Sequence, residues 1–169
     1  MHLDEIKTGA NVFIDANIFV YHFSKNSEFN KSCTDFLYKV ETSEIHGVTS
    51  TSIIIEATHR LMMVEASALL NTEVKNLPKY LKQHPDVVKQ LTQHLVVPRK
   101  ISELNTEILL ITPQIIEESQ EVKTKYGLLS NDSLILKLME KHSINILASN
   151  DPDFEQVDWL NLYLPIAVR

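Results

Sequence analysis

Short apolar runs alternate with longer amphipathic stretches along this chain, and that alternation leaves few folds open. Strand-like runs followed by covering helices make βαβ units, and those units build a parallel sheet with helices on its faces. The first run, Val12 to Asp15, is apolar on consecutive positions before its acid, as a strand buried on both faces requires. The pattern next predicts a helix from near Phe29 to Glu41, striped by Cys33, Phe36, Leu37 and Val40, then a strand near Ile45 to Thr49. Ser50, Thr51 and Ser52 offer N-caps for a long helix through Leu70, striped by Ile53, Ala57, Leu61, Val64 and Ala68. Residues 71–105 read as one or two further helices broken around Pro78, Pro85 and Pro98. A strand near Ile108 to Ile111 follows, then a helix opened by Thr112-Pro113 and closed by Gly127. A helix over 131–142, a strand over 144–149 and an edge strand over Leu162 to Ile166 complete the pattern. The expectation is one three-layer α/β/α domain over 1–169 with a central, mainly parallel sheet and a helical elaboration near 71–105.

Four acids sit where strands should hand over to helices: Asp15, Glu56, Asp132 and Asp151. In an open parallel sheet those points share one edge, the crevice outside the carboxyl ends of the strands, where such folds bind ligands. Carboxylates meeting there repel one another unless a cation lies between them, and oxygen-only ligation suits Mg²⁺ or Mn²⁺. Such an ion lowers the pKa of bound water and clamps a phosphate oxygen, so the expected chemistry is metal-assisted attack on a phosphodiester. Asp132 and Glu56 lie near predicted helix N-termini, whose positive ends favour an anion and attract a substrate phosphate.

The charge balance bears on the substrate. The net charge is −6, which by itself counts against nucleic-acid binding. The charge is uneven, however. Lys75, Lys79, Lys82, Lys89, Arg99 and Lys100 fall in a stretch containing one acid, Asp86. An acidic metal cleft with a separate basic arm can hold RNA while the whole remains negative. No apolar run reaches the roughly 18 residues that span a bilayer, and the acidic start, Met1 to Lys7, lacks the shape of a signal peptide. The single Cys33 excludes an internal disulfide and fits a reducing, cytoplasmic setting. Three Gly leave no phosphate-cradling loop or dinucleotide fingerprint. Glu56-x-x-His59 has no second copy to complete a di-iron set, and His59 reads as core or surface rather than ligand.

The segments Phe13-Ile-Asp-Ala-Asn-Ile, Ile54-Ile-Glu-Ala-Thr-His-Arg-Leu, Leu128-Leu-Ser-Asn-Asp-Ser-Leu and Leu147-Ala-Ser-Asn-Asp-Pro-Asp-Phe, in this order, resemble the PIN domain. That is the nuclease fold of many prokaryotic toxin–antitoxin ribonucleases of the VapC type. The resemblance runs from about Val12 to Pro165, and the stretch near 71–105 departs from it by being longer than a compact toxin needs. It implies that Asp15, Glu56, Asp132 and Asp151 are catalytic, and that Asp15, Asp132, Asp151 and Asp153 hold Mg²⁺ or Mn²⁺. Ser149 matches the hydroxyl residue before the family's last Asp, and Asn17 would orient Asp15 or a metal-bound water. It also implies an RNA substrate, an antitoxin protein as partner and a homodimer. Alternatives remain open. The chain could act in RNA processing or on structured DNA, or could bind RNA or protein without catalysis. Locally, Asp132 could serve only its helix start, Asp151 only a turn before Pro152, and Glu56 only Arg60 at i+4. The basic run could be a solvated helix face.

Overall fold

The structure, a computed structural model, describes residues 1–71 and 76–168. Its sheet has five parallel strands in the order β3-β2-β1-β4-β5. These are β1 (Asn11–Ile14), β2 (His46–Ser50), β3 (Glu107–Leu109), β4 (Ile146–Ala148) and β5 (Asn161–Tyr163). Val12, Phe13 and Ile14 are wholly buried, as their unbroken apolarity predicts for a central strand. The chain steps outward from β1 to β2 and β3, then returns across the sheet to β4 on the other side of β1. Right-handed crossovers therefore put helices on both faces and make the β1/β4 junction a topological switch point.

Helices α1 (Ala16–Phe23) and α2 (Asn30–Glu41) link β1 to β2, and α7 (Pro113–Tyr126) and α8 (Ser130–Lys141) link β3 to β4. The α2 stripe is as predicted: Cys33, Phe36, Leu37 and Val40 are buried, and burial pushes the Cys33 thiol up to about 12. At Gly47 α2 packs closely on the sheet, because a Cβ there would lie 2.5 Å from a Val40 methyl. Periodicity did not reveal α1. It is eight residues long and Ala16, Asn17, Ile18 and Phe19 are all buried, so it has no polar face to alternate with.

Helix α3 (Thr51–Leu70) starts at Ser50, whose hydroxyl caps Ile53 N–H. Its predicted stripe holds through Leu61 and then fails. Val64 is 48 % exposed and Ala68 is exposed, whereas Ala66 is buried. Beyond Leu61 the helix turns its Met62 and Ala66 side to a second small core with Leu81 and Leu91, so its buried face rotates with the change of partner. That core is built by α4 (Leu77–Gln83) and α5 (Pro85–Val88), followed by a 3-10 turn (Gln93–Val96) and α6 (Val97–Glu103). Pro78, Pro85 and Pro98 open these helices in their first turns, where a missing N–H costs nothing, rather than breaking longer ones. Glu65 ties the lobe to α3. It accepts from Thr92 N–H (2.7 Å), Gln93 N–H (3.0 Å) and His94 N–H (3.2 Å), and lies 3.0 Å from His94 Nδ1. Burial would raise its pKa, but these donors outweigh burial and hold it near about 2.

The remaining strands are shorter than their patterns. β3 ends at Leu109 and β4 spans three residues, while β5 stops at Tyr163, two residues before the buried Pro165. Thr112 and Gly127 bound α7 as predicted, with Gly127 at φ 67° receiving the turn into α8. No helix among the described residues is long and apolar enough to cross a membrane.

Candidate active site

The carboxyl end of β1 runs straight into Asp15, which caps α1 by accepting from Ala16 N–H at 2.6 Å. Asp15 N–H bonds the Ala148 carbonyl at the end of β4 (3.1 Å), so this carboxylate stands at the switch point itself. Its other oxygen accepts from Asn17 Nδ2 and from Ser149 Oγ (2.6 Å). Asn17 Nδ2 also reaches Ser149 Oγ (2.9 Å), and Asn17 Oδ1 receives Asn150 N–H (3.1 Å). Asp151 N–H donates to the same Ser149 hydroxyl at 3.1 Å. Ser149 and Asn17 thus clamp Asp15 and fix the backbone that carries Asp151. Both were predicted as supporting residues, and both are buried.

Glu56 lies in the second turn of α3, half-buried. Asn131 Nδ2 donates to its Oε2, and Arg60 Nε stands 3.1 Å from its Oε1. The local i+4 partner foreseen for Glu56 therefore exists, alongside a second contact from α8. Asp132 sits in the first turn of α8. It does not follow a strand, contrary to the sequence expectation. α7 runs into α8 through Gly127, so Asp132 reaches the crevice from a helix–helix connection. The helix ends read from Gly127 and from residue 131 already imply this connection, which the strand-end reading of Asp132 passed over. Asp151 precedes a short 3-10 turn (Pro152–Gln156) and caps Asp153 N–H at 2.9 Å, and Asp153 is exposed beside it. The turn-forming role foreseen for Asp151 is thus real. His59 is exposed on α3.

These acids sense one another. Burial, opposed by the Ser149 and Ala16 donors and aided by the Glu56 charge, raises Asp15 to about 6. Burial and then repulsion from Asp151, Glu56 and Asp153 raise Asp132 to about 6. Arg60 opposes both shifts. Among the described residues, no three His, Cys, Asp or Glu side chains stand close enough together as they are to hold a metal ion. The donor set nevertheless fits a hard divalent cation. It is all oxygen, and its like charges raise the cost of ionising Asp132, as an acidic cluster short of a counter-charge does.

The predicted basic arm divides. Lys75 lies outside the described residues. Lys79 and Lys82 are exposed one turn apart on α4, near the stacked Tyr80 and His84 rings. Lys89 pairs with Asp86 (3.1 Å) and Arg99 with Glu103 (3.6 Å), which softens their pull on a phosphate. Lys100 lies 6.0 Å from the centre of the Phe23 ring, at the far end of α1 from Asp15. Sequence reasoning did not find Asn131 as a partner of Glu56. The only signal was an Asn ahead of Asp132, and its reach across to α3 is a tertiary fact.

The PIN domain family model matches residues 12–160. A similar sequence is Ribonuclease VapC2 of Methanocaldococcus jannaschii, 32 % identical over 155 residues, covering 89 % of this chain and 91 % of the relative. Ribonuclease VapC6 of the same organism is 25 % identical over 154 residues, covering 90 % and 96 %. Among solved structures, the fold resembles Mycobacterium tuberculosis VapC20, described as a sarcin-ricin loop cleaving toxin, at TM-score 0.58 and 12 % identity, covering 94 % and 98 %. It also resembles VapBC2 from Rickettsia felis bound to a DNA fragment from its promoter, at TM-score 0.52 and 16 % identity, covering 92 % and 99 %.

Proposed function

This chain belongs to the PIN domain family, and from that premise we propose that it is a metal-dependent endoribonuclease acting as the toxin of a toxin–antitoxin pair. The observation that carries the reading is Asp15, a buried carboxylate at the β1/β4 switch point whose ionisation is opposed by burial and by Glu56. A protein does not keep such a group without a use for its charge. Ribonucleases of this fold are generally dependent on a divalent metal. Here Asp15, Asp132 and Asp151 would hold Mg²⁺ or Mn²⁺, with Asp153 at the rim. When bound, the ion supplies an acidified water and a clamp on a phosphate oxygen.

The chain's own residues do the rest. Ser149 and Asn17 hold Asp15 in one rotamer, with one oxygen committed to them and the other to Ala16 N–H. Asn131 fixes Glu56, which is placed either to join the ligand set or to accept a proton from an attacking water. The N-terminus of α8, which carries Asp132 in its first turn, would offer its positive end to a substrate phosphate.

The partner in this reading is an antitoxin protein, and the active form a homodimer in the cytoplasm. One domain spans the chain, with the lobe from α4 to α6 as its elaboration. The purified chain should cut single-stranded RNA with Mg²⁺ or Mn²⁺ and stop in chelator. Cutting only structured DNA would move the reading to the DNA-directed alternative. RNA binding with no cutting under any divalent ion would move it to the binding module.

The lobe holds the RNA backbone in this reading, because an acidic cleft repels it. Replacing Lys79 and Lys82 with Gln should weaken RNA binding severalfold and flatten the log–log salt dependence by roughly 0.7 for each phosphate no longer neutralised. The cleavage rate at saturating RNA should hardly change. An unaltered salt slope in a binding titration would return these lysines to an ordinary solvated face.

A further inference from the structure

Arg60 has a placement that fold stability does not explain. It lies one turn beyond Glu56 on α3, with its side chain 49 % exposed, and its Nε approaches Glu56 Oε1 at 3.1 Å. An exposed i,i+4 pair contributes little to stability. Yet Glu56 is held from two sides, by Arg60 on one oxygen and by Asn131 of α8 on the other. The guanidinium is therefore steered to the α3/α8 side of the acidic crevice. Its charge bears on both Asp15 and Asp132. The terminal amino groups have no hydrogen-bond acceptor among the described residues.

A planar fork of donors, tethered by one nitrogen and open at its far end, matches a phosphate bidentately. The lobe's α4 lysines, Lys79 and Lys82, unpaired among the described residues, flank Leu81 of the second core and not the acids, and a lysine offers a point charge in place of the fork. Phosphate must nevertheless come close to Asp15 and Asp132, and bare carboxylates repel it.

We infer that Arg60 is the phosphate-binding residue of this site and its built-in counter-ion, tethered by Glu56 and free to take the RNA phosphate beside the metal. The inference rests on the ribonuclease reading. It predicts opposite effects on the two ligands. An arginine beside the carboxylates competes with a divalent cation but attracts RNA. Removing it should tighten Mn²⁺ and loosen RNA.

The test uses the whole chain as wild type, R60Q and R60K. Mn²⁺ affinity is read by electron paramagnetic resonance or calorimetry without RNA. Affinity for a single-stranded RNA oligonucleotide is read in chelator, where nothing is cut. R60Q should bind Mn²⁺ roughly three- to tenfold more tightly, from the loss of one nearby like charge. It should bind RNA about five- to tenfold more weakly, with a salt slope lower by about 0.7. R60K keeps the charge but not the fork. It should hold Mn²⁺ affinity within about twofold while recovering only part of the RNA affinity.

No change in R60Q, or a loss of both affinities together, overturns the role of Arg60 while the nuclease reading stands on the wild-type result. A wild type that binds neither Mn²⁺ nor RNA overturns both. Should R60Q not fold, R60K decides alone, and RNA affinity equal to wild type overturns the assignment.

Discussion

Asp15→Asn is expected to reduce RNA cleavage by roughly 10³-fold, the worth of several kcal/mol of transition-state charge stabilisation. The substitution is nearly isosteric, so the fold should persist. The loss comes from the charge and from mismatched donors. Both Asn17 and Ser149 donate to one Asp15 oxygen, and an amide nitrogen in that place would face the Asn17 amide as donor against donor. Asp132→Asn should be comparably inactive. Its carboxylate has no hydrogen-bond partner among the described residues, so its effect should be almost purely one of charge.

Ser149→Ala separates positioning from charge. It leaves every carboxylate in place but removes the hydroxyl joining Asp15, Asn17 and Asp151 N–H. A loss of about 10- to 100-fold, the usual scale for groups that orient ligands, is expected there. Asp35→Asn, which breaks only the exposed Lys31 pair on α2, should cut as wild type does. The measurement is single-turnover cleavage of a defined RNA with Mg²⁺. Wild-type rates in Asp15→Asn would remove Asp15 from the site altogether.

The parts of this arrangement that were legible in sequence are those fixed by local rules. β1 announces itself by an unbroken apolar run ending in an acid. α2 does so by its stripe, α3 and α7 by Ser50 and Thr112 at their caps, and α7 again by Gly127 after its last turn. Asp15 was legible because a charge at the end of a buried strand needs a reason.

What escaped depends on partners distant in sequence. The buried face of α3 rotates after Leu61 because the second core of Ala66, Leu81 and Leu91 replaces the sheet as its neighbour. One helix's periodicity cannot announce a change of partner. α1 escaped because it is buried nearly all round at its start. Asp132 was assigned to a strand-to-helix handover although the helices read over 112–127 and 131–142 already made it a helix-to-helix connection, which α7 and α8 are. The Glu56–Asn131 contact joins residues 75 positions apart, and no spacing rule reaches that far.

The second large effect concerns stability and its sign with pH. Asp15 and Asp132 keep their protons to about 6 in the folded chain, against 3.8 for an ordinary Asp. Between those values the native state binds more protons than the unfolded chain, so these groups lower stability as pH rises from about 4 to about 6. For Asp15 the shift of about two units corresponds to roughly 3 kcal/mol. Asp132 is only half-buried, and solvent screening makes its share smaller. Glu65 runs the other way. Its pKa near about 2 gives stability that is present above 4.5 and lost as pH falls. The clean observable is therefore a difference, the unfolding free energy of wild type minus that of Asp15→Asn, measured by urea denaturation in chelator. That difference should fall between about pH 4 and 6 and be flat on either side. A divalent cation should reverse the sense above pH 6. Binding only the folded, ionised site, Mn²⁺ at about 100 times its Kd adds about 2.7 kcal/mol. Near pH 5 protons compete with it and the gain shrinks. In Asp15→Asn the Mn²⁺ gain should largely vanish. A difference curve that is flat through pH 4–6, or an equal Mn²⁺ gain in both proteins, would mean that Asp15 carries no buried charge awaiting a cation.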